Sequence, residues 1–232
     1  MTREQLAGMI DHTFLKLEAT SKDIERICSE AVEYGFASVA INPKFIPLAR
    51  YLLRGTKVKV DAALSFFLGM YPLEVKEFEI MDSIRKGAEE IDLVACVGEI
   101  KAKNWDFVTK EMKMLATYNK YVSATKIILE TGLLEDDEIV MCCNIAKDAG
   151  VSFVKTSTGF GPKGGATVHA VKLMRETVGS KIGVKASGGI RTPEDAAEMI
   201  KAGANRIGAS AGVKIVEGYT EELFGQLQVI GG

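Results

Sequence analysis

Apolar residues follow two alternating patterns along this chain: short continuous runs, and longer segments with helical spacing. The short runs are rich in β-branched residues and predict strands at 37–41, 57–64, 90–95, 125–130, 151–157, 182–187 and 205–210, with a weaker eighth candidate at 8–13. Nearly continuous apolar character is typical of strands buried on both faces of a parallel sheet. Because parallel strands need crossover helices, the alternation predicts a parallel α/β fold.

The segments between the runs carry the signals of helix ends. Thr20 followed by Asp23 predicts the start of a helix that stops at Gly35, and the Thr192-Pro193 pair predicts the start of another that Gly203 closes. Further helices are expected to end at Gly87, Gly150 and Gly179.

Two architectures fit this alternation, a doubly wound open sheet and a closed barrel. A doubly wound sheet usually carries GxGxxG directly after an early strand, and the chain has no such motif. Its glycine-rich loops follow the last three predicted strands, and barrels commonly bind phosphate in the loops after strands 7 and 8. We therefore predict a TIM (β/α)₈ barrel, a single domain over residues 1–232.

Composition and charge favour a protein that acts on small molecules. The 232 residues include 29 basic and 31 acidic side chains, so neither a nucleic-acid surface nor a membrane surface is indicated. No signal peptide and no apolar stretch long enough to cross a bilayer is present, and we expect a cytoplasmic protein. The four cysteines lack metal-type spacing and are expected to be reduced and buried, without a structural metal: Cys28, Cys96, Cys142 and Cys143.

Three ionisable residues lie where a core strand should be apolar: Asp92 in EIDLVA, Lys155 in VSFVKTS and Lys185 in IGVKAS. Strand residues of a barrel alternate between the interior and the helix layer, so polar residues near the strand ends can face the mouth. A single lysine of this kind would more simply be a surface or salt-bridged residue. Comparable positions in three strands favour one shared site.

Two lysines that converge in a confined site cannot both keep a proton without a large free-energy cost. Burial and a neighbouring positive charge each lower the pKa of a lysine, so one amine is expected to be a neutral nucleophile while the other stays cationic. A carboxylate nearby can shuttle protons. These groups can convert an aldehyde into an iminium and then an enamine, a reaction for which we expect no metal and no organic cofactor.

The glycine-rich segments at 157–167, 186–192 and 208–212 predict a binding site for a phosphate group. Glycines allow backbone N–H groups to approach an anion, and helix N-termini favour its negative charge. One such loop alone would be read as a turn, but loops after successive late strands favour a phosphate cradle. Its expected members are Gly188, Gly189, Gly208 and Ser210. Arg191 and Lys163 could add positive charge to the cradle, but a role as solvated surface residues explains them equally well.

Several segments together resemble the deoxyribose-phosphate aldolase family, above all VKTSTGF (154–160), GVKASGGIRTPEDA (183–196), EIDLV (90–94) and NP (42–43). The resemblance runs from IDHT at 10–13 to RIGAS at 206–210. It implies a class I aldolase on a TIM barrel that reversibly cleaves 2-deoxy-D-ribose 5-phosphate to acetaldehyde and D-glyceraldehyde 3-phosphate in deoxyribonucleotide catabolism. It also implies a homo-oligomer, a dimer or a tetramer.

The resemblance assigns roles to individual residues. Lys155 matches the Schiff-base lysine, Lys185 the second lysine that perturbs it, and Asp92 the aspartate of the proton relay. The implied substrate-binding residues are Asp11, Thr13, Thr158, Gly159, Gly188, Gly189, Gly208 and Ser210.

The chain departs from the family at SFFLG (65–69), at ACVG (95–98), at Ala211 and in its VIGG tail. A changed wall of the mouth can alter which acceptor aldehyde fits. Two alternatives remain open: another Schiff-base barrel aldolase or transaldolase, and a phospho-sugar-binding barrel without turnover. Outside the site, Lys126 is expected to pair with a carboxylate inside the barrel, and His12 and His169 to be ordinary hydrogen-bonded or surface histidines.

Overall fold

The computed structural model describes residues 1–228, so the VIGG tail at 229–232 lies outside the described part. Eight parallel strands pair each with the next, and the first pairs with the last, which closes a barrel. They are β1 (Ile10–Phe14), β2 (Ser38–Ile41), β3 (Lys59–Leu64), β4 (Glu90–Val94), β5 (Ala124–Ile128), β6 (Phe153–Lys155), β7 (Gly183–Ser187) and β8 (Arg206–Ala209). The predicted barrel is confirmed, and most predicted strands are a few residues too long at their ends.

Helices surround the barrel in the order that the alternation predicts. They are α1 (Arg3–Ala7), α2 (Ser21–Tyr34), α3 (Ile46–Leu52), α4 (Leu73–Lys86), α5 (Val97–Lys101), α6 (Trp105–Ala116), α7 (Asp136–Ala149), α8 (Val168–Val178), α9 (Pro193–Lys201), α10 (Gly212–Glu217) and α11 (Glu221–Phe224). Within residues 1–228, no helix combines the length and the apolar character needed to cross a membrane.

The predicted helix starts are confirmed by their hydrogen bonds. The backbone N–H of Thr20 donates to Asp23 Oδ2 at 2.9 Å, and that of Thr192 donates to Asp195 Oδ2 at 3.0 Å. Such caps supply partners for polar groups that the first turn of a helix leaves unpaired. At the other end of α2, Gly35 takes a left-handed conformation with φ 72°, as expected for a terminating glycine.

Side chains along the strands alternate between the apolar core outside the barrel and the barrel interior, where the charged residues lie. In β4, Ile91 and Leu93 belong to the apolar core between barrel and helices, whereas Glu90 and Asp92 contact charged groups of other strands across the interior. The outer residues of the other strands pack in the same core. The apolar core is thus a shell around the barrel, and the interior is left for charged side chains.

Candidate active site

Eight charged side chains fill the interior of the barrel. Four carboxylates and four cations converge there from seven strands: Asp11, Asp61, Glu90, Asp92, Lys126, Lys155, Lys185 and Arg206. Seven of their side chains are at most 4% exposed, and that of Arg206 is 14% exposed. Buried charges of this density are stable only when they are paired.

Asp92 joins the two lysines that the sequence singles out. Its Oδ2 accepts hydrogen bonds from Lys155 Nζ and from Lys185 Nζ, both at 2.6 Å. Its Oδ1 lies 2.8 Å from Lys126 Nζ. The expected triad of amine, cation and carboxylate is therefore assembled around one oxygen atom.

The three lysines inside the barrel differ in the number of carboxylates that surround them. Among residues 1–228, Lys126 and Lys185 each contact three carboxylates, whereas Lys155 contacts only that of Asp92. Burial lowers the pKa of Lys155, and the positive charge of Lys185 lowers it further, in opposition to Asp92. Lys155 is consequently the amine best able to become a neutral nucleophile.

The neighbours of Lys155 stay charged. Burial alone would depress the pKa of Lys185, but the carboxylates of Asp11, Asp61 and Asp92 raise it above its usual range. Burial alone would likewise raise the pKa of Asp92, but the lysines around it hold that pKa well below the ordinary value. Lys155 therefore lies beside Lys185, which stays protonated, and Asp92, which stays ionised.

Lys126 is paired with carboxylates inside the barrel, as predicted. Its Nζ lies 2.7 Å from Glu90 Oε2 and 3.1 Å from Asp61 Oδ2. Oxygen atoms of Asp11, Asp61 and Glu90 lie within 4.8 Å of one another, a spacing that could hold a metal ion. Each of these carboxylates already contacts Lys126, Lys185 or Arg206, so side-chain cations balance their charge.

A cavity of about 480 Å³ opens above Lys155 at the carboxyl ends of β1, β6, β7 and β8. The predicted site residues that line it are Thr13, Lys155, Thr158, Gly159, Gly188, Gly189, Gly208 and Ser210. Asp11, Asp92 and Lys185 are not among its lining residues, and they pair with one another and with Lys155 inside the barrel. Asp11, which was predicted to bind substrate, thus pairs with Lys185 inside the barrel and does not line the cavity.

The glycines of the predicted cradle have two different structural roles. Gly189 lines the cavity with φ 81°, and a Cβ added there would meet nothing within 4 Å, so the space beside it is open. A Cβ on Gly188 would lie 2.8 Å from the Cα of Gly165, which shows that Gly188 lets the loops after β6 and β7 pack together. Only Gly189 of this pair leaves free space beside the cavity.

Besides Lys155, three cations line this cavity: Lys16, Arg26 and Arg191. Sequence reasoning missed Lys16 and Arg26, because no strand pattern marks them, and it named Lys163, which is not a lining residue. Two of the three, Lys16 and Arg26, also lie over the ring of Phe14 at 5.8 and 5.6 Å. Their positive charge suits an anionic substrate group.

The segment at 65–69, where the sequence differs from the family pattern, forms an aromatic wall beside the mouth. Phe66 and Phe67 contact Phe160, which lines the cavity, with ring centroids 5.4 and 5.7 Å apart. A Cβ on Gly69 would meet the carbonyl oxygen of Ala95, so the segments at 65–69 and 95–98, which both differ from the family pattern, touch each other.

Other interior residues were also missed by sequence reasoning. Asp61 interrupts an apolar strand in the same way as Asp92, and that signal could have found it. Arg206 and Glu90 lie at strand ends, where charge is usual, so no comparable signal marks them. Glu130, predicted within a strand, instead follows β5 at φ 57°, and its Oε2 accepts from the Thr158 N–H at 3.0 Å.

Comparison with known proteins gives consistent matches over most of the chain. The family described as DeoC/LacD family aldolase matches residues 6–218. The deoxyribose-phosphate aldolase of Clostridium perfringens is 53% identical over 222 residues, covering 96% of this chain and 99% of the relative. That of Thermococcus kodakarensis is 48% identical over 225 residues, covering 96% and 100%. The solved tetrameric deoxyribose phosphate aldolase of Aeropyrum pernix superposes with a TM-score of 0.85 at 33% identity, covering 93% of this chain and 91% of the other.

Proposed function

This chain belongs to the DeoC/LacD family of aldolases, and we propose that it reversibly cleaves 2-deoxy-D-ribose 5-phosphate to acetaldehyde and D-glyceraldehyde 3-phosphate. The observation that carries the proposal is the Lys155 amine, which lies in the cavity wall with a lowered pKa, 2.6 Å from Asp92 and with Lys185 on the same carboxylate oxygen. Relatives that carry the name of this aldolase match the chain over nearly its whole length.

In the proposed reaction, the neutral Lys155 amine attacks the aldehyde carbon C1 of the sugar. The resulting carbinolamine loses water and becomes an iminium, whose positive charge can accept an electron pair. The C3 hydroxyl then loses its proton, the C2–C3 bond breaks, and its electrons form an enamine on C1 and C2. Protonation of C2 and hydrolysis release acetaldehyde and return the free amine.

Protons for these steps can pass through Asp92 and Lys185. Asp92 accepts hydrogen bonds from both lysines, so it can take a proton from Lys155 and receive one from Lys185 without moving. Lys185 remains cationic between transfers because three carboxylates surround it. We assign the nucleophile to Lys155 and the proton relay to Asp92 and Lys185.

The phosphate of the substrate is assigned to the glycine end of the cavity. Gly189, Gly208 and Ser210 line this end, and the side chains of Lys16, Arg26 and Arg191 supply positive charge around it. Binding of the remote phosphate would hold the sugar chain extended toward Lys155, which converts binding energy into orientation.

The direct test is incubation with 2-deoxy-D-ribose 5-phosphate, followed by assay of acetaldehyde and of glyceraldehyde 3-phosphate in equal amounts. Treatment with acetaldehyde and borohydride should leave one ethyl group on Lys155, located by peptide mass spectrometry. Lys155→Met should abolish both results. Formation of dihydroxyacetone or its phosphate would favour another Schiff-base aldolase, and substrate binding without product would favour a binding barrel.

Two further properties belong to the same proposal. The solved Aeropyrum pernix aldolase is tetrameric, and this supports a homo-oligomer for the present chain. The four cysteines are free and buried, which agrees with the reducing conditions of the cytoplasm.

A further inference from the structure

Asp61 is a buried carboxylate that the proposed reaction leaves without a role. It lies in β3 with a side chain that is 0% exposed, and its Oδ2 is 3.0 Å from Lys185 Nζ and 3.1 Å from Lys126 Nζ. Within the described residues, its Oδ1 has no hydrogen-bond partner. A buried carboxylate oxygen left in this way is costly while the group is charged.

The charge balance of the interior depends on the state of Lys155. With Lys155 protonated, four cations face four carboxylates. When the Lys155 nitrogen is neutral, as a free amine or as an enamine, three cations face four carboxylates. An uncompensated charge in a water-poor interior is strongly unfavourable, so one carboxylate should then take up a proton.

A continuous hydrogen-bonded path leads from Lys155 to Asp61. Lys155 Nζ and Lys185 Nζ each donate to Asp92 Oδ2 at 2.6 Å, and Lys185 Nζ donates to Asp61 Oδ2 at 3.0 Å. A proton can therefore leave one end of this path while another arrives at the far end, with no side chain changing position.

We propose that Asp61 is a positioning residue that stores the proton which the Lys155 nitrogen gives up, at the end of the path Lys155–Asp92–Lys185–Asp61. In this step an N–H bond of Lys155 breaks and an O–H bond on Asp61 forms, while Asp92 and Lys185 each accept one proton and pass one on. The stored proton returns by the reverse transfers when the carbinolamine loses water. The idea rests on the proposed role of Lys155.

The environment of Asp61 supports such a store. Burial raises its pKa to about 6, with the negative charges of Asp92 and Asp11 adding to the rise, against Lys126 and Lys185, which lower it. The charged groups that share the interior with it are Asp11 of β1, Glu90 and Asp92 of β4, Lys126 of β5, Lys155 of β6, Lys185 of β7 and Arg206 of β8. Asp92 is unsuited to the role, because its lysine neighbours hold its pKa well below the ordinary value.

The proton store can be observed by infrared spectroscopy, without turnover. The carbonyl stretch of a protonated carboxyl group should titrate in the wild-type protein with a midpoint near pH 6. Labelling the aspartates with ¹³C should move this band, and Asp61→Asn should remove it. In Asp61→Glu the band should persist but no longer respond to the aspartate label, which assigns it to position 61.

Coupling between the two ends of the path is tested with Lys155→Met, a permanently neutral replacement. The midpoint of the Asp61 band should rise by about one pH unit, because a nearby cation is lost. Linkage is reciprocal, so Asp61→Asn should lower the midpoint for borohydride trapping at Lys155 by about the same amount. Glu90→Gln is the matched control, since it removes another buried carboxylate on Lys126 that does not touch Lys185, so a band that responds to the aspartate label should remain.

The proposed proton storage at Asp61 would be refuted if no aspartate carbonyl band titrates near pH 6, or if Lys155→Met does not shift the midpoint of that band. The Lys155→Met measurement keeps Asp61 in place, so it remains informative even if Asp61→Asn does not fold. Failure of deoxyribose 5-phosphate cleavage with the band and its shift present would overturn the proposed substrate and leave the proton store standing. If deoxyribose 5-phosphate is cleaved but Lys155→Met does not shift the band, the proposed substrate stands and the proton storage at Asp61 is wrong.

Discussion

At the scale of single residues, chemically identical side chains acquire different properties from their neighbours. Lys126, Lys155 and Lys185 are all nearly inaccessible to solvent, so burial acts on all three. Three carboxylates surround each of Lys126 and Lys185, and they raise the pKa of both. Lys155 has one carboxylate neighbour, and its pKa is lowered. The number of carboxylate neighbours therefore distinguishes Lys155, the proposed nucleophile, from the two lysines that stay cationic.

Replacement of Lys185 by Met should raise the pKa of Lys155, because a like charge disappears beside it. Turnover should fall by roughly 10²-fold, a typical loss for an acid–base group. The pH dependence of borohydride trapping with acetaldehyde measures the first effect, and steady-state kinetics the second. Lys126→Met is the control, because it removes a buried lysine that does not share the Asp92 oxygen of Lys155. An unchanged rate and pH profile in Lys185→Met would remove Lys185 from the relay.

Asp11 should stabilise the fold in a pH-dependent manner. Burial would raise its pKa, but Arg206 and Lys185 hold that pKa well below the ordinary value. Because the folded pKa is depressed, the stabilisation is fully present above the unfolded pKa of about 4 and is lost as the pH falls toward the folded pKa. Asp11→Asn should therefore lower the free energy of unfolding by about 3 kcal/mol at neutral pH. In urea titrations the difference should shrink at pH 3, and an equal difference at both pH values would contradict the assignment.

At the scale of elements, a buried ion pair fixes the loop that follows β4. Lys76 of α4 and Glu111 of α6 are both 0% exposed and hydrogen-bonded to each other. Lys76 Nζ also donates to the carbonyl oxygen of Val94 at 2.7 Å, and Glu111 Oε2 accepts from the Cys96 N–H at 3.2 Å. Two helices thus hold the end of the strand that carries Asp92.

Replacement of Lys76 by Met should destabilise the protein by about 3 kcal/mol, because the Glu111 carboxylate is left buried without its cation. Chemical denaturation measures the loss. The double variant Lys76→Met/Glu111→Met should be more stable than the single variant, since no lone charge remains. Lys172→Met provides the exposed comparison, because its pair with Glu176 spans 3.9 Å between largely solvated side chains, and it should cause no measurable change. A double variant as unstable as the single one would show that packing, rather than charge, is responsible.

In the whole molecule, closure of the barrel brings the two ends of the proposed substrate site to one mouth. Lys155 comes from β6, whereas Gly189 and Ser210 follow β7 and β8. The separation between the proposed nucleophile and the proposed phosphate site is thus set by the pairing of neighbouring strands. Such a rigid arrangement can use phosphate binding to orient the reacting aldehyde.

Replacement of Gly189 by Ala should weaken use of the phosphorylated substrate. The added methyl group would stand in the open space beside the cavity, and we expect KM for 2-deoxy-D-ribose 5-phosphate to rise roughly tenfold, as for one lost charge-assisted hydrogen bond. Cleavage of unphosphorylated deoxyribose should scarcely change. Gly150→Ala is a matched control, since Gly150 has φ 82° and open space around its Cβ position but ends α7. Equal slowing of both sugars, or the same effect in Gly150→Ala, would place the phosphate elsewhere.

Local patterns in the sequence are enough to predict the architecture and the reaction class of this protein. Runs of β-branched residues, capping pairs and terminating glycines act over a few positions, so the strands and helices could be located locally. Lys155, Lys185 and Asp92 were identifiable because a charge within an apolar strand is a local anomaly, and the resemblance to an aldolase family connected them.

Which charged side chains contact one another depends on the three-dimensional arrangement of the strands. Asp61 joins Lys126 and Lys185, and Asp11 joins Lys185 and Arg206, across distances of up to 195 positions in sequence. Side chains alternate between the two faces of each strand, and the register of eight strands sets which inward residues share a layer. The pKa of each lysine follows from that layering, because it depends on the charges within a few ångströms rather than on neighbours along the chain.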